Sequence, residues 1–358
     1  MAKKSKKSNK SKKILSVVLS VIILLIAAAW YFGGKPVVEI GAEGVTLVQT
    51  EEPLFAAVPE AIPAVPEQTG VPEVLEGQQK ASASQNKNIS STSADLNHPE
   101  NDPLYFGNPT DAFEDTAFTA NYLMIKPQYT LSYNTQTLGP NWVAWHLGQE
   151  DIGEADRSDD FRADPDLPAD WYAVKKADYQ FNDYGFDRGH VCPSADRTAT
   201  KQDNSMTFLM TNMVPQSPDN NRVIWMHFEN FERELVKAGN EVYIIAGPYG
   251  TGGTTPKGTF DNIPITLKSG EVLYMNVPAY TWKVLIAIPE GSGDLDRIDS
   301  NATVIAINVP NQTGMQKTGD WEQFLCSIDD IEKMTGYDFF ELLPDNVEDV
   351  LEKLVYTP

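Results

Sequence analysis

Residues 104–358 predict an α+β domain with a mainly antiparallel sheet and flanking helices. Short runs rich in aromatic and β-branched residues recur along this stretch, and turn-forming Gly and Pro separate them. Only two segments carry the three-to-four spacing of an amphipathic helix. The first hundred residues have none of this texture.

Met1 to Lys13 holds seven lysines and no acid, and 19 uncharged residues follow from Ile14 to Phe32. At ~1.5 Å per residue a helix over 14–32 spans about 28 Å, close to the thickness of a bilayer core. Lysines before the span and few bases after it place the start of the chain inside and the remainder outside. Two readings stay open for 14–32: a transmembrane signal-anchor, or a signal peptide cleaved near Ala27 to Ala29. Residues 33–103 read as a flexible tether, with eight prolines and then a polar Ser/Gln-rich run. As a coil it reaches roughly 40–50 Å. Short pieces such as 44–49 are candidates for extended backbone.

Within 104–358 the strand candidates are 122–125, 129–133, 142–147, 241–247, 282–288 and 303–309. The first helix begins at Ser217 or Asp219 as N-cap. It carries Trp225, Phe228, Phe231 or Glu232, and Leu235 on one face, and Gly239 is its C-terminal stop. The second covers 327–336. The two cysteines, Cys192 and Cys326, belong to no CxxC or Cys/His pattern, which argues against structural zinc. Pairing and two buried thiols are both open for them.

Chemistry-bearing residues concentrate between 187 and 229. Asp187, Arg188, Gly189 and His190 are followed by Pro193 and by Ala195, Asp196 and Arg197. Then come Thr211 and Asn212, the run Asn220, Asn221, Arg222, and Glu229 eight residues beyond Asn221. Phosphodiester cleavage needs a base for water, a cation for developing charge, and help for the leaving oxygen. A neutral histidine supplies the base, Asn and Glu supply hard oxygens suited to Mg²⁺ or Mn²⁺, and arginine forks match phosphate oxygens. On an α-helix eight residues turn through ~800°, which leaves Asn221 and Glu229 about 80° apart. Taken singly, these residues have blander readings: a satisfied histidine, a helix cap, a solvated helix face.

Together these residues resemble the DNA/RNA non-specific endonuclease family (ββα-metal, endonuclease G-like), whose hallmark is Asp-Arg-Gly-His followed by Pro and Ala-Asp. Residues 141–147, 155–162, 208–213, 281–284 and 329–339 also look like family sequence. The resemblance implies a ββα-metal core, His190 as general base, and Asn221 as the direct ligand of Mg²⁺, with Mn²⁺ possible. It implies Glu229 acting on the metal through water, Arg157 on the scissile phosphate with Arg188 in support, and Asn212 ordering the site. Substrates would be DNA and RNA, cut outside the membrane that 14–32 would anchor. Cys192, two residues beyond the base, departs from the pattern.

The charge argues the other way. The chain carries 50 acids against 28 bases, and residues 104–358 alone carry 39 against 18, a net of −21. A broad basic surface is thereby excluded, so phosphate must be met by a local arginine cluster and a metal. The rival reading is a membrane-tethered nucleic-acid receptor with a dormant site.

Overall fold

A computed structural model describes residues 37–41, 44–48, 101–315 and 318–358. The apolar span 14–32 lies outside the described residues, and no described helix is long and apolar enough to cross a membrane. The chain divides into two units, Met1–Ser91 and Thr92–Pro358. In the first, β1 (Val37–Gly41) and β2 (Gly44–Val48) form an antiparallel hairpin with Val37 opposite Val48. The stretch read as a tether thus contains one regular pairing, which includes the extended piece expected from 44 onward.

The second unit is built on β3 (Tyr122–Lys126), β4 (Tyr129–Asn134), β5 (Gly139–Leu147), β6 (Asp187–His190), β7 (Met213–Gln216) and β8 (Asn240–Tyr249). Two small hairpins follow, β9 (Gly253–Thr255) with β10 (Gly258–Phe260) and β11 (Asn262–Thr266) with β12 (Val272–Asn276). Then come β13 (Tyr280–Pro289), β14 (Thr303–Pro310) and the two-residue β15 (Leu325–Cys326). A seven-stranded antiparallel sheet runs in the order β15-β14-β13-β8-β5-β4-β3. All six strand candidates lie in it, so the expected antiparallel α+β architecture is what the chain adopts.

The sheet buries both faces, and the two-residue period assigns them. Leu285 and Ala287 of β13 join Val242, Ile244, Trp145 and Ile305 on one face, under the helix Met226–Lys237. Val284, Ile286 and Ile288 join Tyr243, Ile245 and Val304 on the other. The α-helices longer than one turn are α1 (Lys201–Met206), α2 (Met226–Lys237), α3 (Ile328–Thr335) and α4 (Asp345–Leu351). α2 contributes Phe228 and Val236 to the first face, while α3 and α4 contribute Ile331 and Leu351 to the second. Ser327 caps α3 with Asp330 in a capping box, and Gly336 ends it at φ 74°.

Both thiols are free. Cys192 is fully buried and Cys326 sits partly buried on β15, so the two do not pair and only Cys192 meets the expectation of a buried thiol. Burial pushes both well above the ordinary thiol range.

Candidate active site

β6 and β7 form an isolated antiparallel pair, with Asp187 opposite Gln216 and His190 opposite Met213. Gly189 is required by its neighbour: a Cβ there would fall 1.9 Å from Gln216 Oε1. The chain then turns into a helix at Ser217, whose Oγ accepts from the Asn220 N–H at 3.3 Å with Pro218 in the first helical position. Of the two candidate caps it is therefore Ser217 that acts. Asp219 instead accepts from the Gly314 N–H at 2.7 Å. The first turns, Asn220–Trp225, are π-helical before α2 begins. A strand pair followed by this helix is the ββα unit.

His190 is buried between two rings, 4.7 Å from the Phe208 centroid and 5.5 Å from that of Phe161. Its Nε2 is buried with no hydrogen-bond partner. Burial first, then the charges of Arg157 and Arg188, lower its pKa to about 3. The imidazole is therefore neutral, with Nε2 free of any bond. Arg157 lies over the Phe208 ring at 4.8 Å and donates to Ser194 Oγ at 2.7 Å. Arg188 lies over Phe161 at 4.6 Å, with its Nε buried and unpartnered. Lys176 joins that ring at 5.5 Å. Three cations are thus held on two aromatic faces beside one neutral base, a local positive nest within an acidic domain.

Asp187 organises the side that carries Asn221. It takes both forks of Arg222, at 2.6 and 2.8 Å, and accepts from Asn221 Nδ2 at 2.9 Å. With its nitrogen spent, Asn221 leaves Oδ1 without a partner among the described residues. On α2, burial pushes the Glu229 carboxyl up to about 8, against the pull of Lys283 and Arg233. Arg233 itself is fixed by buried Asp196 at 2.6 Å, and the Trp145 indole donates to the same carboxylate at 3.0 Å. Beneath them Lys283 and Glu232, both fully buried, pair at 3.0 Å. The Lys283 ammonium sits 4.5 Å over the Trp225 ring.

The structure thus gathers His190, Arg157 and Arg188 into one nest, and ties Asn221 to the same hairpin through Asp187. Glu229 lies on the continuation of that helix, facing the Asp196 side. Asn212 stands apart from the open groups: fully buried, it accepts from the Cys192 N–H at 2.9 Å and donates to Cys192 O and Thr207 O. It braces the chain leaving His190. The brace grips the backbone of Cys192, whose thiol packs in the core. Sequence reasoning missed Phe161, Phe208 and Lys176, which carry no spacing signal. It also missed Arg233, which one helical turn after Glu229 could have indicated.

A hard cation fits here on the chemistry of the donor set. The free amide oxygen of Asn221 and the carboxylate of Glu229 are oxygen donors, and no thiolate stands beside them to select a soft metal.

The family description "DNA/RNA non-specific endonuclease" matches residues 107–346. A nuclease of Nostoc sp. is 42% identical over 252 residues, which cover 70% of this chain and 85% of that protein. Nuclease C1 of Cunninghamella echinulata is 32% identical over 247 residues, 67% and 88% of the two chains. Human mitochondrial endonuclease G is 30% identical over 217 residues, 60% and 68%. Among solved structures, a chain of an EndoG/EndoGI complex superposes with a TM-score of 0.52 at 22% identity, covering 68% of this chain and 92% of that one. That likeness supports the fold.

Proposed function

Because the chain belongs to the DNA/RNA non-specific endonuclease family and is a phosphodiester-hydrolysing endonuclease, we propose that it cuts DNA and RNA without sequence preference, using Mg²⁺ or, in its place, Mn²⁺. The observation that carries this reading is the neutral, unpartnered Nε2 of His190 inside a nest of arginines.

His190 Nε2 takes the proton of the attacking water. Arg157 and Arg188 hold the scissile phosphate and meet the charge that grows on its oxygens. A bound phosphate also offsets the arginine field that depresses His190, so the base strengthens as substrate arrives. Asn221, with Glu229 acting through water, would hold the cation. When bound, that cation supplies Lewis-acid stabilisation of the phosphoryl and leaving oxygens. Asp187 takes the Asn221 amide nitrogen, which leaves the amide oxygen as the atom that would meet a cation. Phosphate contacts carry no base identity, hence the broad substrate range. The receptor reading finds no support in the comparisons.

Incubating the purified protein with supercoiled plasmid and with RNA tests this. Cleavage of both with Mg²⁺, abolished by EDTA, is expected. Cleavage at one dominant site, or cleavage indifferent to EDTA, contradicts it. We further propose that 14–32 anchors the chain with its catalytic domain outside the membrane, or directs its secretion if cleaved. Protease added to intact cells should then remove any anchored domain, and a secreted one should be found in the medium. Retention inside, protected until lysis, overturns the topology.

A further inference from the structure

Away from the β6–β7 hairpin, α3 and α4 bring five carboxylates together. Asp329 and Glu332 stand three residues apart on α3, Asp338 follows in the loop, and Glu348 and Glu352 lie on and just beyond α4. The Asp329 N–H donates to the Glu352 carbonyl at 3.0 Å, which stitches the start of α3 to the end of α4. One oxygen from each of Asp329, Glu332 and Glu352 lies within 4.8 Å of the other two.

The second observation is Glu352 itself. Its side chain belongs to a residue only 8% exposed, and its Oε1 is buried with no hydrogen-bond partner. Burial pushes this carboxyl up to about 8, and Glu332, Glu348, Asp329 and Asp338 all repel it. The neighbouring ammonium, Lys353, is exposed and bonded to Asp349 at 3.0 Å. Glu332 receives the Phe339 N–H at 2.8 Å and shares a side-chain hydrogen bond with Glu352, whose Oε1 stays open. A buried carboxylate with a bare oxygen and four acidic neighbours is costly unless a cation completes it. The grouping of His146, Glu150 and Asp151 differs, because Asp151 already accepts from the Gly148 N–H and pairs with Arg197.

We propose that Asp329, Glu332 and Glu352 form a divalent-cation site, separate from the nuclease centre, that clamps α4 to α3. All three donors are hard oxygens. Their mutual spacing falls within the roughly 5 Å that separates opposite ligands of Ca²⁺ at ~2.3–2.6 Å. Water completes the shell on the side of the half-buried Asp329. Ca²⁺ is the ion the site would take, since it tolerates irregular geometry and Mg²⁺ does not.

The test is Ca²⁺ binding to the full chain after EDTA treatment and dialysis, read by equilibrium dialysis and by thermal unfolding. Glu352→Gln should lower the number of Ca²⁺ bound by one, both in the native sequence and in an Asn221→Ala background that removes the nuclease ion. Ca²⁺ at about a hundredfold excess over its Kd should raise the unfolding midpoint by roughly 5–10 °C in Asn221→Ala. The rise should vanish in Asn221→Ala/Glu352→Gln. Without Ca²⁺, Glu352→Gln should unfold no earlier than the native sequence, since it removes repulsion, and this shows that the variant is folded. No midpoint rise in Asn221→Ala, or an equal rise and equal stoichiometry with Glu352→Gln, overturns the site. The cluster would then be carboxyl groups that share protons.

Discussion

Two polar clusters meet the helix that starts at Ser217, one at its beginning and one along its buried face, and they are built on opposite terms. Along the face, Lys283 meets Glu232 at 3.0 Å and Arg233 meets Asp196 at 2.6 Å, so each charge faces its opposite. At the beginning, His190 Nε2 and Arg188 Nε are buried with nothing to bond, and the nest around them is cationic. The first arrangement holds a helix on a sheet. The second leaves His190 Nε2 and Arg188 Nε open, while Arg157 is held by Asp159 at 2.8 Å. Buried polar groups left open beside charges of one sign are where chemistry is to be sought.

The contrast predicts that activity and stability separate. His190→Ala should lower the cleavage rate by about 10²–10⁴, the usual worth of a general base, while leaving urea stability unchanged or higher. Initial rates on plasmid and urea midpoints, measured on the same preparations, check both halves. A folded His190→Ala protein with a rate near the original would remove His190 from the chemistry.

The reverse pattern belongs to the paired cluster. Lys283→Met strands Glu232 in the core and should cost about 3–5 kcal/mol of stability. Lys283→Met with Glu232→Leu should recover much of that loss, because no uncompensated charge remains. Denaturant unfolding of the single and double variants measures it. If Lys283→Met is as stable as the original, the pair is not the structural element described here.

A smaller effect sharpens the metal side. Asn221→Ala should raise the Mg²⁺ concentration needed for half-maximal activity by more than tenfold. Glu229→Gln, acting through water, should shift it less. Titrating Mg²⁺ against rate for both variants decides the order. An unchanged requirement in Asn221→Ala refutes the ligand role.

These elements were unequally legible in the sequence. The strands were readable because β8, β13 and β14 carry apolar side chains on both faces, so their runs are nearly continuous. α4 was not, since 345–351 is acid-rich and fully buries only Leu351. β9–β12 are short and broken by Gly and Pro. Asn221 and Glu229 were recognised as neighbours across an angular gap of about 80°. The π-helical turn Asn220–Trp225 advances less per residue than an α-helix and takes up part of that gap. Such a turn has no compositional mark. Glu232 was read as interchangeable with Phe231 on the apolar face. Its partner Lys283 lies 51 residues away, and no single-sequence spacing reveals that pairing.

The finest probe of the contrast is pH. In the folded chain His190 is lowered to about 3, chiefly by burial and then by Arg157 and Arg188. In the unfolded chain it titrates near ~6.5. Between these values the unfolded state binds a proton that the folded state refuses. The contribution of His190 to stability is therefore full above about 6.5 and is lost progressively as pH falls toward 3. Glu229 runs the other way: raised to about 8, it binds a proton more readily folded than unfolded, so its contribution fades as pH rises through 8. The whole-protein curve mixes such terms, but the difference between the native sequence and His190→Gln isolates the first. Relative to the native chain, His190→Gln should gain stability steadily as pH is lowered from 7 to 5, read as the gap between their urea midpoints. A gap that stays flat over that range would mean that the folded imidazole protonates as easily as the unfolded one. The nest would then be solvated, and the difference between the two clusters would disappear.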